Sequence, residues 1–301
     1  MTSPKFKRHL ESSCFFIGTV CCMALLLWPR PIFGSTCSLQ KTNGFRGEVK
    51  IIEQRQYKHN SPLSLVATWY YDQMGKETRV VSGGERDGVP TSSMIATNFF
   101  NEQGQKSQQL QKWENGELIR EITYAYDDRG RQNVEAWHDA EGLFVGLYIR
   151  EFDEQGNCKK LYDYRPSGDR TLSVQQVEYR YNNLGEKVEA VFERQDGTKE
   201  INRYDENGRF QQTLAYRPDG LLESETEFVY DIYGNAIESR TLDSKGTLVS
   251  HTKDTYTYDN KKNWIKRISK WVIKEGKPFD EVTITDRTIT YYTPPATYSP
   301  N

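Results

Sequence analysis

Three arginines stand alike in the chain. Arg165, Arg194 and Arg217 open the segments RPSG (165–168), RQDG (194–197) and RPDG (217–220), with Tyr164, Phe192 and Tyr216 close by in sequence. A guanidinium beside an aromatic ring suits sugar rings and the carboxylates of acidic polysaccharides. The same pairs also fit a cation stacked over a ring at a hairpin end, for stability alone. These six residues are the candidate ligand-binding set. Other chemistry finds little to work with. His9, His59, His138 and His251 form no metal-ligand spacing with one another or with a cysteine. Cys158 shares no motif with a histidine, and no nucleophile elbow or phosphate-binding glycine loop occurs. Carboxylates are numerous, so a pair flanking a glycan is the enzymatic alternative. However, Asp127, Asp153, Asp205 and Asp231 each sit where a turn needs them. A single turn also offers far fewer oxygens than the roughly six to eight that calcium takes. The reading is therefore a non-enzyme, with no catalytic residue, no metal and no cofactor.

What positions the arginines is a repeat. An aromatic residue, Asp or Asn, two free positions and Gly recur as YDQMG (71–75), FNEQG (100–104), YDDRG (126–130) and FDEQG (152–156). The series continues as YNNLG (181–185), YDENG (204–208) and YDIYG (230–234). An eighth copy, YDNKK (258–262), has Lys262 in place of Gly, which leaves that turn's geometry open. Asp or Asn favours the first position of a type I turn, because its side chain accepts from backbone N–H groups. Gly three places on supplies the left-handed conformation of a bulge. A second aromatic often precedes the first by two, as in Tyr124/Tyr126 and Tyr256/Tyr258, which puts both rings on one face of a strand.

Between these turns lies a second series ending in Gly88, Gly116, Gly142, Gly168, Gly197, Gly220, Gly246 and Gly276. The leg from the first turn's last position to this glycine is 12 residues in six copies, and 13 and 14 in the first and last. Strands of roughly six to nine residues fit both legs. The expected fold is all-β: tandem antiparallel hairpins, about sixteen strands, in one long meander. Open sheets rarely exceed ~10 strands without curling. This meander should therefore coil into a spiral, a curved sheet or a partial barrel, with the aromatic face inside. Arg131, Glu189, Lys199 and Glu238 are expected to stay in water. Residues 45–57 and 281–292 read as capping strands.

The N-terminus reads separately. Lys5, Lys7 and Arg8 precede the apolar run 14–28, then Pro29 and Pro31. This describes a secretory signal or an N-terminal anchor over residues 1–37. The β domain follows at 38–292, with a Pro-rich tail at 293–301. Three of the five cysteines lie in the apolar run, leaving Cys37 and Cys158 as the one conceivable pair. The formal net charge is -2, with signs interspersed, so no nucleic-acid surface is indicated.

The aromatic-Asp-x-x-Gly units resemble the YD repeats of the RHS family. The segment 256–292 is similar to the closing unit of small exported bacterial YD-repeat proteins. The resemblance spans roughly residues 45–292. It implies a β shell and permits carbohydrate binding without assigning a site. The expected role is thus an exported binding or scaffolding module, periplasmic, cell-surface or secreted. Its partner is a polysaccharide or, alternatively, a protein of the envelope or of a secreted toxin or adhesion system. Membrane contact is expected only through residues 1–37, if they are retained.

Overall fold

The computed structural model describes residues 45–293 apart from 60 and 167–170, and the side chains of those residues apart from 171–174. Residues 1–37, Cys37 among them, and nearly all of the 293–301 tail lie outside the described residues. Within them the chain is strand after strand. The order begins β1 (Val49–Lys58), β2 (Leu63–Tyr71), β3 (Glu77–Arg86), β4 (Val89–Phe100), β5 (Lys106–Trp113) and β6 (Leu118–Tyr126). It continues with β7 (Gln132–Asp139), β8 (Phe144–Phe152), β9 (Cys158–Arg165), β10 (Thr171–Tyr181), β11 (Lys187–Arg194) and β12 (Lys199–Tyr204). It ends with β13 (Phe210–Tyr216), β14 (Leu222–Tyr230), β15 (Ala236–Asp243), β16 (Leu248–Tyr258), β17 (Trp264–Lys274) and β18 (Lys277–Tyr291).

Each strand pairs antiparallel with the next, and β1 pairs with β18 as well as with β2. The fold is a closed up-and-down barrel of 18 strands. This corrects the expected spiral, curved sheet or partial barrel, and the count of about sixteen. The two ends that read as caps are partners: the register runs from Val49↔Tyr291 to Lys58↔Thr283. Joining them removes the two bare edges that an open meander would leave to aggregation.

The turns explain why the hairpins form where they do. In the copy at 126–131, Gly130 N–H donates to Asp127 O (2.8 Å) and Asp127 N–H donates to Arg131 O (3.0 Å). Asp127 Oδ1 accepts from the N–H groups of Arg129 (3.0 Å) and Arg131 (2.9 Å). Gly130 has φ 75°, and the ladder slips by one residue at Tyr126. This is a type I turn closed by a bulge. The eighth copy keeps this geometry without its glycine. Lys262 takes φ 66°, and its N–H donates to Asp259 O at 3.1 Å.

Most of the second turns use the same bonding, with Trp113, Asp139, Arg194, Arg217 or Asp243 at the first position. The first and last differ. Asp87 and Gly88 (φ 51° and 83°), and Glu275 and Gly276 (52° and 71°), form two-residue turns. They join Arg86↔Val89 and Lys274↔Lys277. That accounts for the two legs of unusual length.

The register separates two faces. Ile52, Ala96, Ile122, Val177, Ala190, Phe192 and Tyr204 are all buried and all lie on the aromatic one. One cluster joins Val177, Ala190, Phe192 and Tyr204. The other gathers Val49, Ile52 and Tyr71 at the seam, with Phe45, Trp69, Ile289 and Tyr291 against them. The opposite face is knit by ion pairs. Glu189 is held by Arg180 (3.1 Å) and Arg203 (3.3 Å), with 12% of its side chain exposed. Glu238 binds Arg240 (2.8 Å) and His251 (2.7 Å). Arg131 folds back onto Asp127. Of the four residues expected to stay wet, only Lys199 is exposed. The other three find partners on neighbouring strands or within their own turn, which the linear sequence does not display.

Candidate functional site: the aromatic face and its rims

The six candidate residues do not assemble into a column. Phe192 is 3% exposed inside the first cluster and offers no ring to a ligand. Tyr164 stacks on Phe144 at 6.0 Å. Because it directly precedes Arg165 on a strand, its side chain projects from the other face. Arg194 reaches Thr198 Oγ1 (3.4 Å) and Glu200 (3.9 Å), and Arg217 pairs with Asp219 at 3.4 Å within its own turn. Tyr216 is half-buried on β13. The six share one rim of the barrel but not one surface. Ser167 and Gly168, which complete the RPSG turn, lie outside the described residues.

Arg165 does lie on aromatic rings, though on different ones. Its guanidinium sits 4.9 Å from the Trp137 ring centre and 5.8 Å from that of Tyr148. It donates to Tyr148 Oη at 2.8 Å and to Asp163 Oδ1 at 3.1 Å. Trp137 and Tyr148 meet edge to face at 4.9 Å, and Trp137 Nε1 donates to Glu135 at 2.8 Å. Gly146 makes this possible: a Cβ there would fall 2.9 Å from Trp137 Cε3. The sequence signal was a glycine within a strand, which marks a close approach by another group.

At the other rim, which holds the aromatic-Asp turns, the residue after the turn reaches the next repeat in most copies, whereas Glu186 accepts from Asn182 Nδ2 (2.8 Å) in its own turn. Lys76 lies over Phe100 (5.2 Å), Arg131 over Phe152 (4.5 Å) and Arg209 over Tyr230 (4.8 Å). Where that residue is Asn, a hydrogen bond replaces the stack. Asn235 Nδ2 donates to Tyr258 Oη (2.9 Å), and Tyr258 donates to Asp231. Asn263 Nδ2 donates to Tyr291 Oη (2.7 Å), and Tyr291 donates to Asp259. The repeated Asp and Tyr thus latch one hairpin to the next.

Burial works against charge on Asp205. The Arg209 side chain and the N–H groups of Arg209 and Asn207 outweigh it and hold the carboxyl below its usual range. Burial and the bond to Asp259 push the Tyr291 hydroxyl up to about 12. Carboxylates so engaged are structural. Among the described residues, no group of three or more His, Cys, Asp or Glu is placed to hold a metal. Burial pushes the Cys158 thiol above its ordinary range, away from a reactive thiolate.

Sequence reasoning missed a row across the middle of the aromatic face. Asn202, Thr213, Thr226, Thr241 and Ser250 stand directly opposite one another on β12 to β16. Phe228, Ser239 and Thr252 form the next row. Thr213 donates to Asn202 Oδ1 (2.7 Å), and Thr226 and Thr241 pair hydroxyl to hydroxyl at 3.0 Å. The only sequence signal was Thr or Asn at matched distances from the turns.

No known family profile and no curated protein matches the chain. Among solved structures it is similar to a porin-like protein from Bacteroides uniformis, at 13% identity and a TM-score of 0.48, over 80% of this chain and 96% of that one. A porin-like protein from Bacteroides vulgatus overlaps at 9% identity and 0.31, over 81% and 99%. A LolA superfamily protein from Nitrosomonas europaea overlaps at 10% and 0.21, over 85% and 93%. At these scores none of the three carries weight for function.

Proposed function

We propose that the chain is an exported, non-enzymatic barrel of YD-type repeats that binds polysaccharide on its inner wall, in the cell envelope or outside it. The observation that carries this reading is the aromatic face, where rings alternate with amide and hydroxyl groups. At ~4.8 Å between strands and ~40° of tilt, eighteen strands give a radius of about 18 Å. Side chains converge on the concave side of such a ring and spread on the convex side. The aromatic face holds most of the buried residues, so it is taken as the inner one.

The barrel is not read as a membrane pore. A lipid-facing wall is an apolar band, and each mid-membrane Arg or Lys costs ~2–4 kcal/mol. Both faces carry such charges: Arg150 and Arg267 on the aromatic side, Arg203 and Lys253 on the other. The second reading, a protein partner, is favoured by three exposed apolar tips on the aromatic-Asp rim, Met74, Leu184 and Ile232.

The test is a glycan panel, including the source organism's own envelope polysaccharides, against the exported chain. Trp137→Ala and Phe228→Leu are wall variants on separate parts of the ring, and Arg194→Ala is the rim control. Saturable binding weakened by one of the wall variants and not by Arg194→Ala is expected. Absence of binding to every glycan would refute the reading and turn attention to crosslinking of a protein partner at the rim.

A further inference from the structure

We infer that the hydroxyl belt on β12 to β16 is the binding track for an uncharged, linear polysaccharide. This inference rests on the glycan-binding reading above and adds the site and the ligand class.

The geometry is that of a ladder. Asn202, Thr213, Thr226, Thr241 and Ser250 occupy successive strands at directly paired positions. The last four form an accessible line of hydroxyls around the wall, one every ~4.8 Å and roughly 14 Å in all. Asn202, 2% exposed, closes its end from within the wall. A pyranose chain presents hydroxyls at a similar pitch, so neighbouring rings meet equivalent partners. Thr213, Thr226, Thr241 and Ser250 are half-buried rather than sealed, so part of each remains open to a ligand.

The chemistry matches a polyol. In the Thr226–Thr241 pair one hydroxyl donates to the other at 3.0 Å, and Ser239 pairs with Thr252 in the same way. Each pair consumes one O–H and leaves one free, together with unused acceptor capacity. A surface that both donates and accepts suits sugar hydroxyls, which do the same. Phe228 stands in the adjoining row opposite Ser239 and offers an apolar ring face. It belongs to a run of rings, with Phe210 to Phe228 at 6.5 Å and Tyr204 to Phe210 at 5.0 Å. Rings beside a hydroxyl ladder can take the C–H face of a sugar while the ladder takes its edge.

Charge decides the ligand class. From β12 to β16 neither row carries an ionisable side chain, and Lys274 stands opposite Ser250 on β17. The flanking carboxylates are engaged, Glu200 with Asn202 Nδ2 at 2.9 Å and Asp254 with Arg267 at 2.8 Å. The other side of the ring differs, with Glu135, Arg150, Asp163 and Arg165 on β7 to β9. An acidic polysaccharide would seek that side, and a neutral one the belt.

The experiment is calorimetric titration of the exported chain with a neutral linear glucan, a mannan and a galactan oligosaccharide, and with an oligogalacturonate. Thr226→Val keeps the shape and the strand preference while removing the hydroxyl, and Phe228→Leu keeps an apolar side chain. Circular dichroism verifies that both fold. The expected result is that a neutral oligosaccharide binds and that each variant weakens it about ten-fold, worth one lost hydrogen bond or stack. Arg165→Ala should change it less than about two-fold. Preference for oligogalacturonate, or neutral binding that survives both variants and is lost in Trp137→Ala, overturns the belt while leaving the glycan-binding reading standing. Failure of all these probes overturns the belt as well. The broader glycan panel then decides whether the function reading falls with it.

Discussion

The seam between β18 and β1 places the heaviest demand on one side chain, Asn263. It is 5% exposed and follows the glycine-less turn. Its Oδ1 accepts from Arg46 N–H at 2.7 Å, and its Nδ2 donates to Arg46 O at 2.8 Å and to Tyr291 Oη at 2.7 Å. Asn263→Ala removes all three bonds and strands the two backbone groups of Arg46. Each bond contributes ~0.5–1.5 kcal/mol, and a buried group left unpaired costs ~1–3 kcal/mol. Part of that loss is recovered by water at the rim. The expected destabilisation is about 2–4 kcal/mol in urea unfolding, with faster amide exchange confined to β1 and β18. Asn157→Ala is the matched control. Asn157 occupies the same place after Gly156, but its side chain reaches only Asp153 and Tyr181 and touches no backbone group. It should cost about 1 kcal/mol or less. If the two variants cost the same, or exchange at the seam is unchanged, the latch does not hold the ring closed.

The remaining predictions concern turns, packing and acid. Lys262→Gly relieves a left-handed φ of 66° and should leave stability unchanged or raise it by up to about 1 kcal/mol, whereas Gly130→Ala, at φ 75°, should lower it by ~1–2 kcal/mol; thermal melts compare them. Gly146→Ala should displace the Trp137 ring, shift its fluorescence and cost ~1–3 kcal/mol; an unchanged spectrum would contradict the close approach. Asp205 has a depressed folded pKa, so its contribution is present above the unfolded value near ~3.9 and is lost as pH falls through the folded one. Unfolding curves taken across that acid range should therefore be flatter for Asp205→Asn than for the native chain.

The local architecture was legible because a turn is written in few residues. Asp127 and Gly130 have a side-chain and a φ requirement that almost no other types meet together, and both are met. Closure was not legible. Pairing Val49 with Tyr291 depends on how twist accumulates over every hairpin between them, and no short segment carries that sum. The six candidate residues do not share one surface, for a related reason. Neighbours in sequence such as Tyr164 and Arg165 belong to opposite faces. The rings under Arg165 come from β7 and β8, brought there by Gly146. The belt was hidden because threonines and serines are common in strands and acquire meaning only once four of them line up in register beside Asn202.

A ring with both ends joined gauges its own size. Circumference is strand number multiplied by a fixed spacing, so the copy number of the hairpin sets the bore. Gaining or losing one whole hairpin would widen or narrow the opening by a single step and still bring the last strand antiparallel to the first. Losing a single strand would not, because β1 and β18 would then meet parallel and their register of bonds would fail. Duplication and deletion of whole repeats therefore act as a ratchet on diameter, and relatives built on this plan should differ in bore by whole hairpins.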